Sequence, residues 1–133
     1  MLLERLEFGE PRARARELII KSVDLARSAV EQQQCSEAPL IAGTLGPFSH
    51  ATPFRADISA AASTDPKGTG LSDIEPIVAF HRERLEALLE GGVDLIAFET
   101  IGSLLEAEAI GVLMAEYKEA EAWVSFTCKD EEH

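Results

Sequence analysis

Apolar residues along this chain recur with two periods, and the alternation between them predicts its architecture. From Pro11 to about Gln33, the residues Leu18, Ile19, Ser22, Val23, Ala26, Ala29 and Val30 share one stripe at helical spacing. Pro11 suits the first turn, where its missing N–H costs nothing. The polar run Gln32 to Glu37 releases the chain, and Pro39 to Leu45 reads as a first strand ended by the turn Gly46-Pro47. A second helix opens at the capping box Ser72-Asp73-Ile74-Glu75, turns Ile77, Val78, His81, Leu85 and Leu88 inward, and stops at Gly91-Gly92. Val93 to Phe98 is a short, nearly continuous apolar run, the pattern of a parallel strand covered on both faces. Ser103-Leu104-Leu105-Glu106 is another capping box, and its helix runs to about Tyr117 with Ile110, Leu113, Met114 and Tyr117 inward. Ala122 to Thr127 is the third strand.

The order αβαβαβ calls for a parallel sheet with right-handed crossovers, an α/β fold. A (β/α)8 barrel takes roughly 250 residues, so a chain of 133 supplies about three of its eight strands. Residues 1–133 therefore read as one incomplete barrel domain: a partial TIM barrel of about three parallel strands with flanking helices. In such folds ligands meet the carboxyl ends of the strands. Glu99 and Thr100 stand there, where the second strand is expected to give way to a loop. The stretch from Phe48 to Leu71, rich in Ala, Ser, Thr, Gly and Pro, is a loop long enough to be functional or partly disordered.

Composition narrows the class of protein. A hydrophobic share of 46% is enough to build a core. The net charge of −12 falls entirely on residues 35–133, because residues 1–34 balance six basic with six acidic side chains. Such a field repels nucleic acid phosphates and anionic lipid. No apolar run approaches the length of a membrane span, and Met1-Leu2-Leu3-Glu4-Arg5 is charged too early for a signal peptide. Cys35 and Cys128 make no disulfide framework and fit a reducing, cytoplasmic setting. Two open sheet edges would favour self-association.

With these elements placed, four segments carry a resemblance. They are Ala42-Gly43-Thr44-Leu45-Gly46-Pro47-Phe48; Phe80-His81-Arg82 with Arg84-Leu85-Glu86 and Leu88-Leu89; Gly92 to Thr100; and Trp123-Val124-Ser125-Phe126-Thr127. In order and spacing the chain resembles the homocysteine S-methyltransferase family, most closely its S-methylmethionine-type branch. The resemblance implies a barrel that transfers a methyl group from S-methylmethionine, or from S-adenosylmethionine or betaine, to homocysteine, giving methionine. It implies partners of two kinds, homocysteine and a methyl-onium donor, and a zinc ion that activates the homocysteine thiol as a thiolate. The family's Asp-Gly-Gly, Asn-Cys and Gly-Gly-Cys-Cys motifs are not found in this sequence, so the zinc ligands are not expected here. Whether the chain is itself an enzyme stays open: the alternative is a truncated, inactive fragment acting through association with another chain.

By the same resemblance, Glu99 matches the glutamate that receives the homocysteine ammonium group. A carboxylate at a strand end offers charge-assisted hydrogen bonds to an amine. The plainer alternative is a solvated strand-end acid or a helix cap. Thr100 could donate beside it, or simply form the turn. Gly46 and Pro47 shape the backbone at the mouth. Beyond them Ser49-His50-Ala51-Thr52 departs from the family pattern Gly-Ala-x-Leu, and His50 reads first as a surface loop residue. His81 reads as a satisfied core-edge histidine, Arg82 and Arg84 as salt-bridging helix residues, and Cys128 as no metal ligand. Lys129 to His133 reads as solvated charge.

Overall fold

The structure is a computed structural model that describes residues 12–33, 37–48 and 74–127. Among them helices and strands alternate as the periodicity predicts: α1 (Arg12–Gln32), β1 (Ala42–Leu45), α2 (Glu75–Glu90), β2 (Leu95–Ile101), α3 (Leu104–Met114) and β3 (Ala122–Phe126). The three strands are parallel in the order β1-β2-β3, so β2 is central. The main apolar core lies between the sheet and its helices, built on Val23, Ile41, Leu45, Leu85, Leu88, Ile96, Phe98, Ile101, Ile110 and Leu113, and a smaller cluster of Ile77, Leu105 and Ala109 joins α2 to α3.

Several expected boundaries move. The first strand begins at Ala42 rather than Pro39, since Leu40 is 70% exposed. The second begins at Leu95 rather than Val93: regular pairing starts there, although the Asp94 N–H already donates to the Ile41 carbonyl at 2.9 Å. The Asp94 carboxylate accepts from the Ile41 N–H at 2.6 Å and from Arg27 at 3.2 Å. Arg27 also donates to the Gly92 carbonyl, so one arginine of α1 ties the end of α2 to the entry of both strands. These bonds hold the Asp94 carboxyl below its ordinary range, the Ile41 N–H first and Arg27 second. The last helix ends at Met114, with Ala115 as its C-cap, rather than near Tyr117.

Close packing of helix on strand explains the glycine of β1. A Cβ on Gly43 would lie 2.8 Å from a methyl of Leu88 and 3.1 Å from one of Val93. Only a bare backbone lets α2 approach this strand so closely. Gly91 and Gly92 do close α2, with amide bonds to the carbonyls of Ala87 and Leu89. Gly92 adopts φ +79°, the left-handed geometry that ends a helix. The first capping box is not made as expected: the N-cap of α2 is Ile74, with no side-chain cap, and Ser72 and Asp73 lie outside the described residues. The second is half made. Ser103 accepts from the Glu106 N–H at 3.2 Å, but the Glu106 side chain turns inward instead of back to Ser103.

Candidate functional site

The two faces of the sheet are easily told apart. Phe98 packs edge-on to His81 of α2, with ring centroids 5.5 Å apart, so Phe98 faces the helices. Gly43 and Leu45 face the same way, buried between exposed neighbours. Ala122, Val124 and Phe126 line a groove with Ile110, Met114 and Tyr117 of the α3 side. The alternation of strands then sets Ala42, Thr44, Leu95, Ala97, Trp123 and Ser125 on the opposite face. Register brings Thr44, Ala97 and Trp123 into one layer. In a closed barrel this face is the interior.

Glu99 belongs to that inner face, one layer above Ala97 and Trp123. It was expected just beyond the strand; instead the ladder continues to Ile101 and Glu99 lies within it. The reason is a bulge. Phe98 pairs with Val124 and Ile101 with Phe126, so Glu99 and Thr100 together oppose the single residue Ser125. Thr100 takes φ +65°, the one non-glycine residue at positive φ among those described, and its N–H donates to the Ser125 hydroxyl at 3.2 Å. A β-branched residue in this region is strained, and such strain clusters where side chains are aimed at ligands. Beyond the extra residue Ile101 is buried in the core, and Glu99 keeps its inner position.

The Glu99 carboxylate is half-buried and joins no hydrogen bond or ion pair with the described residues. One step past the Leu45–Phe98 pair, Gly46 comes level with Glu99, and a Cβ there would meet nothing within 4 Å. Below lies the Trp123 indole, 47% exposed, which the sequence reading did not single out. Its signal was available: an aromatic residue in an alternating strand, on the face opposite Val124. The arrangement offers an unpartnered acid on the inner face of the sheet, suited to a small amine.

A second polar group lies behind the sheet, at the same end. His81 and Glu106 are buried, at 0% and 1% exposure, with His81 Nε2 2.8 Å from Glu106 Oε1. That oxygen also accepts from the Phe48 N–H at 2.6 Å. Arg84 donates to His81 Nδ1 at 3.0 Å and lies over the Phe80 ring, 3.4 Å from its centroid. His81 is thus a satisfied histidine, as expected, though fully buried rather than at the core edge. Burial, its largest influence, holds the imidazole pKa below the ordinary value of 6.5. Arg82 pairs with Glu116 at 2.7 Å, as expected of a surface helix. Arg84 does not form the expected salt bridge: it packs on Phe80, and burial lowers its pKa to about 10. Glu106 was read only as a cap, because a helix-start acid looks the same in sequence whether it turns outward or inward.

Among the described residues no three His, Cys, Asp or Glu side chains converge as a metal site. His81 has both ring nitrogens engaged, so nothing described fits the zinc that the resemblance implies. Cys35, Cys128, His50 and the segment 49–73 lie outside the described residues, as do Lys129 to His133. No described helix is long and apolar enough to cross a membrane.

The sequence profile of the family described as Homocysteine S-methyltransferase matches residues 3–133. The chain belongs to that family. It is 40% identical over 130 residues to the homocysteine S-methyltransferase of Escherichia coli, a match covering 94% of this chain and 39% of that protein. The betaine-homocysteine S-methyltransferase of Drosophila melanogaster is 36% identical over 134 residues, covering 95% and 39%. Among solved structures, the metallated form of the homocysteine methyltransferase MmuM from Escherichia coli superimposes with a TM-score of 0.75 at 37% identity, covering 94% of this chain and 42% of that one. The chain thus spans about two fifths of the curated relatives it matches. Its three parallel strands and flanking helices are part of the TIM barrel of the homocysteine S-methyltransferases.

Proposed function

We propose that this chain forms the amine-binding part of a homocysteine S-methyltransferase site, with Glu99 receiving the ammonium group of homocysteine and Thr100 shaping its backbone. The supporting observation is the place of Glu99: half-buried on the inner face of β2 at the Glu99–Thr100 bulge, with no hydrogen bond or ion pair to the described residues. The reaction would move a methyl group from a sulfonium or ammonium donor, S-methylmethionine before S-adenosylmethionine or betaine, to the homocysteine sulfur. The old carbon–heteroatom bond breaks as the homocysteine thiolate, its thiol proton lost to solvent, forms the new carbon–sulfur bond, and the donor's onium centre becomes neutral. Glu99 takes no part in bond making; it fixes the nucleophile's position. Zinc, where the complete site holds it, supplies thiolate activation, and the described residues contribute no ligand set. A cytoplasmic setting belongs to the same reading.

The test is a chimera in which this chain replaces the matching two fifths of the Escherichia coli enzyme. Methionine should form from homocysteine and S-methylmethionine. Glu99→Gln keeps the size and removes the charge, and should weaken homocysteine about ten- to a hundredfold. Unchanged homocysteine affinity at unchanged stability would leave Glu99 an ordinary acid. A second reading, an inactive piece that works by association, is favoured by the apolar surface of β3, where Trp123, Val124 and Phe126 are exposed. An inactive chimera, with the native chain self-associating on size-exclusion chromatography, would select it.

A further inference from the structure

A buried carboxylate in the first turn of a helix needs a reason. Glu106 is the third residue of α3, where an acid ordinarily remains in water or bonds back to the N-cap. Burying it costs free energy that a leucine of similar size would not incur. What a leucine cannot do is hold the backbone of another segment. Glu106 Oε1 accepts the Phe48 N–H at 2.6 Å. Phe48 stands three residues past the end of β1, directly after Gly46-Pro47, and its ring meets Phe80 of α2 edge-on at 5.0 Å.

The rest of the cluster orients that carboxylate. A guanidinium offers only donors, so the bond from Arg84 makes His81 Nδ1 an acceptor. The ring proton then sits on Nε2 and is given to Glu106. Arg84 in turn is held by its bond to the Phe80 carbonyl at 3.2 Å and by the Phe80 ring.

We infer that Glu106 is a positioning residue for the ligand mouth: oriented by His81 and Arg84, it clamps the Phe48 N–H and sets where the segment leaving β1 departs. The consequence for the site rests on the proposed reading of this sheet end as the ligand face.

Amide hydrogen exchange on the full 133-residue chain tests the clamp without any ligand, so its failure is distinct from failure of the methyltransferase reading. Glu106→Gln keeps the shape and a neutral acceptor; Glu106→Leu removes the acceptor. Exchange at Phe48 should accelerate roughly tenfold in the first and roughly a hundredfold in the second. The Ile96 amide, bonded to the Glu121 carbonyl in the sheet, should accelerate far less. Equal acceleration at Phe48 and Ile96 would show that Glu106 serves stability in general and would overturn the clamp. So would an unchanged Phe48. Should the leucine variant lose its fold, the glutamine variant decides by the same comparison. Imidazole nitrogen shifts of the native chain should report the neutral Nε2–H form of His81; the Nδ1–H form would equally overturn the arrangement.

Discussion

Replacing Thr100 tests whether the bulge stores strain. The residue lies at φ +65° and is exposed, so its side chain contributes little packing, and its N–H bond to Ser125 survives any non-proline substitution. The left-handed region costs an L-residue about 1–2 kcal/mol, which glycine does not incur. Against that, glycine loses more backbone freedom on folding, a cost of about 0.5–1 kcal/mol. The difference predicts that Thr100→Gly stabilises the chain by roughly 0.5–1 kcal/mol. Thr100→Asn, whose side chain tolerates this region, should fall between glycine and threonine, and Thr100→Ala should recover little. Urea unfolding followed by circular dichroism gives the midpoints, with unchanged slopes as the check that the unfolded state is common. Destabilisation by all three, in excess of about 0.5 kcal/mol, would show that the threonine side chain is itself stabilising and that the strain argument is wrong. In the chimera the stabilised glycine variant should also bind homocysteine less tightly, because a relaxed bulge aims Glu99 less well.

Two further predictions follow from packing and from charge. Gly91→Ala would place a Cβ 3.0 Å from two atoms of Val23 and 3.4 Å from the Ile20 Cα, so α1 must shift, at a cost of about 1–3 kcal/mol. Gly111→Ala, in an open position of α3, should instead stabilise by roughly 0.8–1 kcal/mol; thermal melts that fail to separate the two in sign would contradict the helix packing. The His81 imidazole is held below 6.5 in the folded state, mainly by burial and also by Arg84, so the unfolded chain binds more protons near and below that pH. Its contribution is therefore complete above 6.5 and declines as the pH falls through that window. Asp94 and Glu116, held below 3.8 and 4.5 by the Ile41 N–H with Arg27 and by Arg82 respectively, lose theirs only at lower pH. Denaturation midpoints from pH 8 to 4 should show the first decline in the native chain and not in His81→Gln; an identical profile would exclude His81 as its source.

The sequence disclosed the architecture wherever one period dominated. The stripe of α2 through Ile77, His81, Leu85 and Leu88 is buried as read, and the parallel order of three strands follows from alternation with helices. The apolar stripe of α1 was read too widely: Val23 is buried, but Leu18 is 39% exposed and Ala29 lies on the surface. Position and orientation near the site were harder to see. Glu99 was located at the correct strand, yet a bulge depends on how many residues face one partner, and a single strand carries no record of its neighbour's count. Glu106 shows the same limit. Its spacing from Ser103 matches a capping box, and only the arrival of Phe48 from a segment 58 residues away gives its carboxylate a better partner than water.

The inserted residue in β2 has an evolutionary consequence. Were Thr100 deleted, Phe98, Glu99 and Ile101 would alternate as in a regular strand, with Ile101 still directed to the helices and opposite Phe126. The core would thus tolerate either length of strand at this point. What a deletion would remove is the residue at positive φ and its N–H bond to Ser125, so the strained turn beside Glu99 could be gained or lost by a single codon while the interior behind it stays in register.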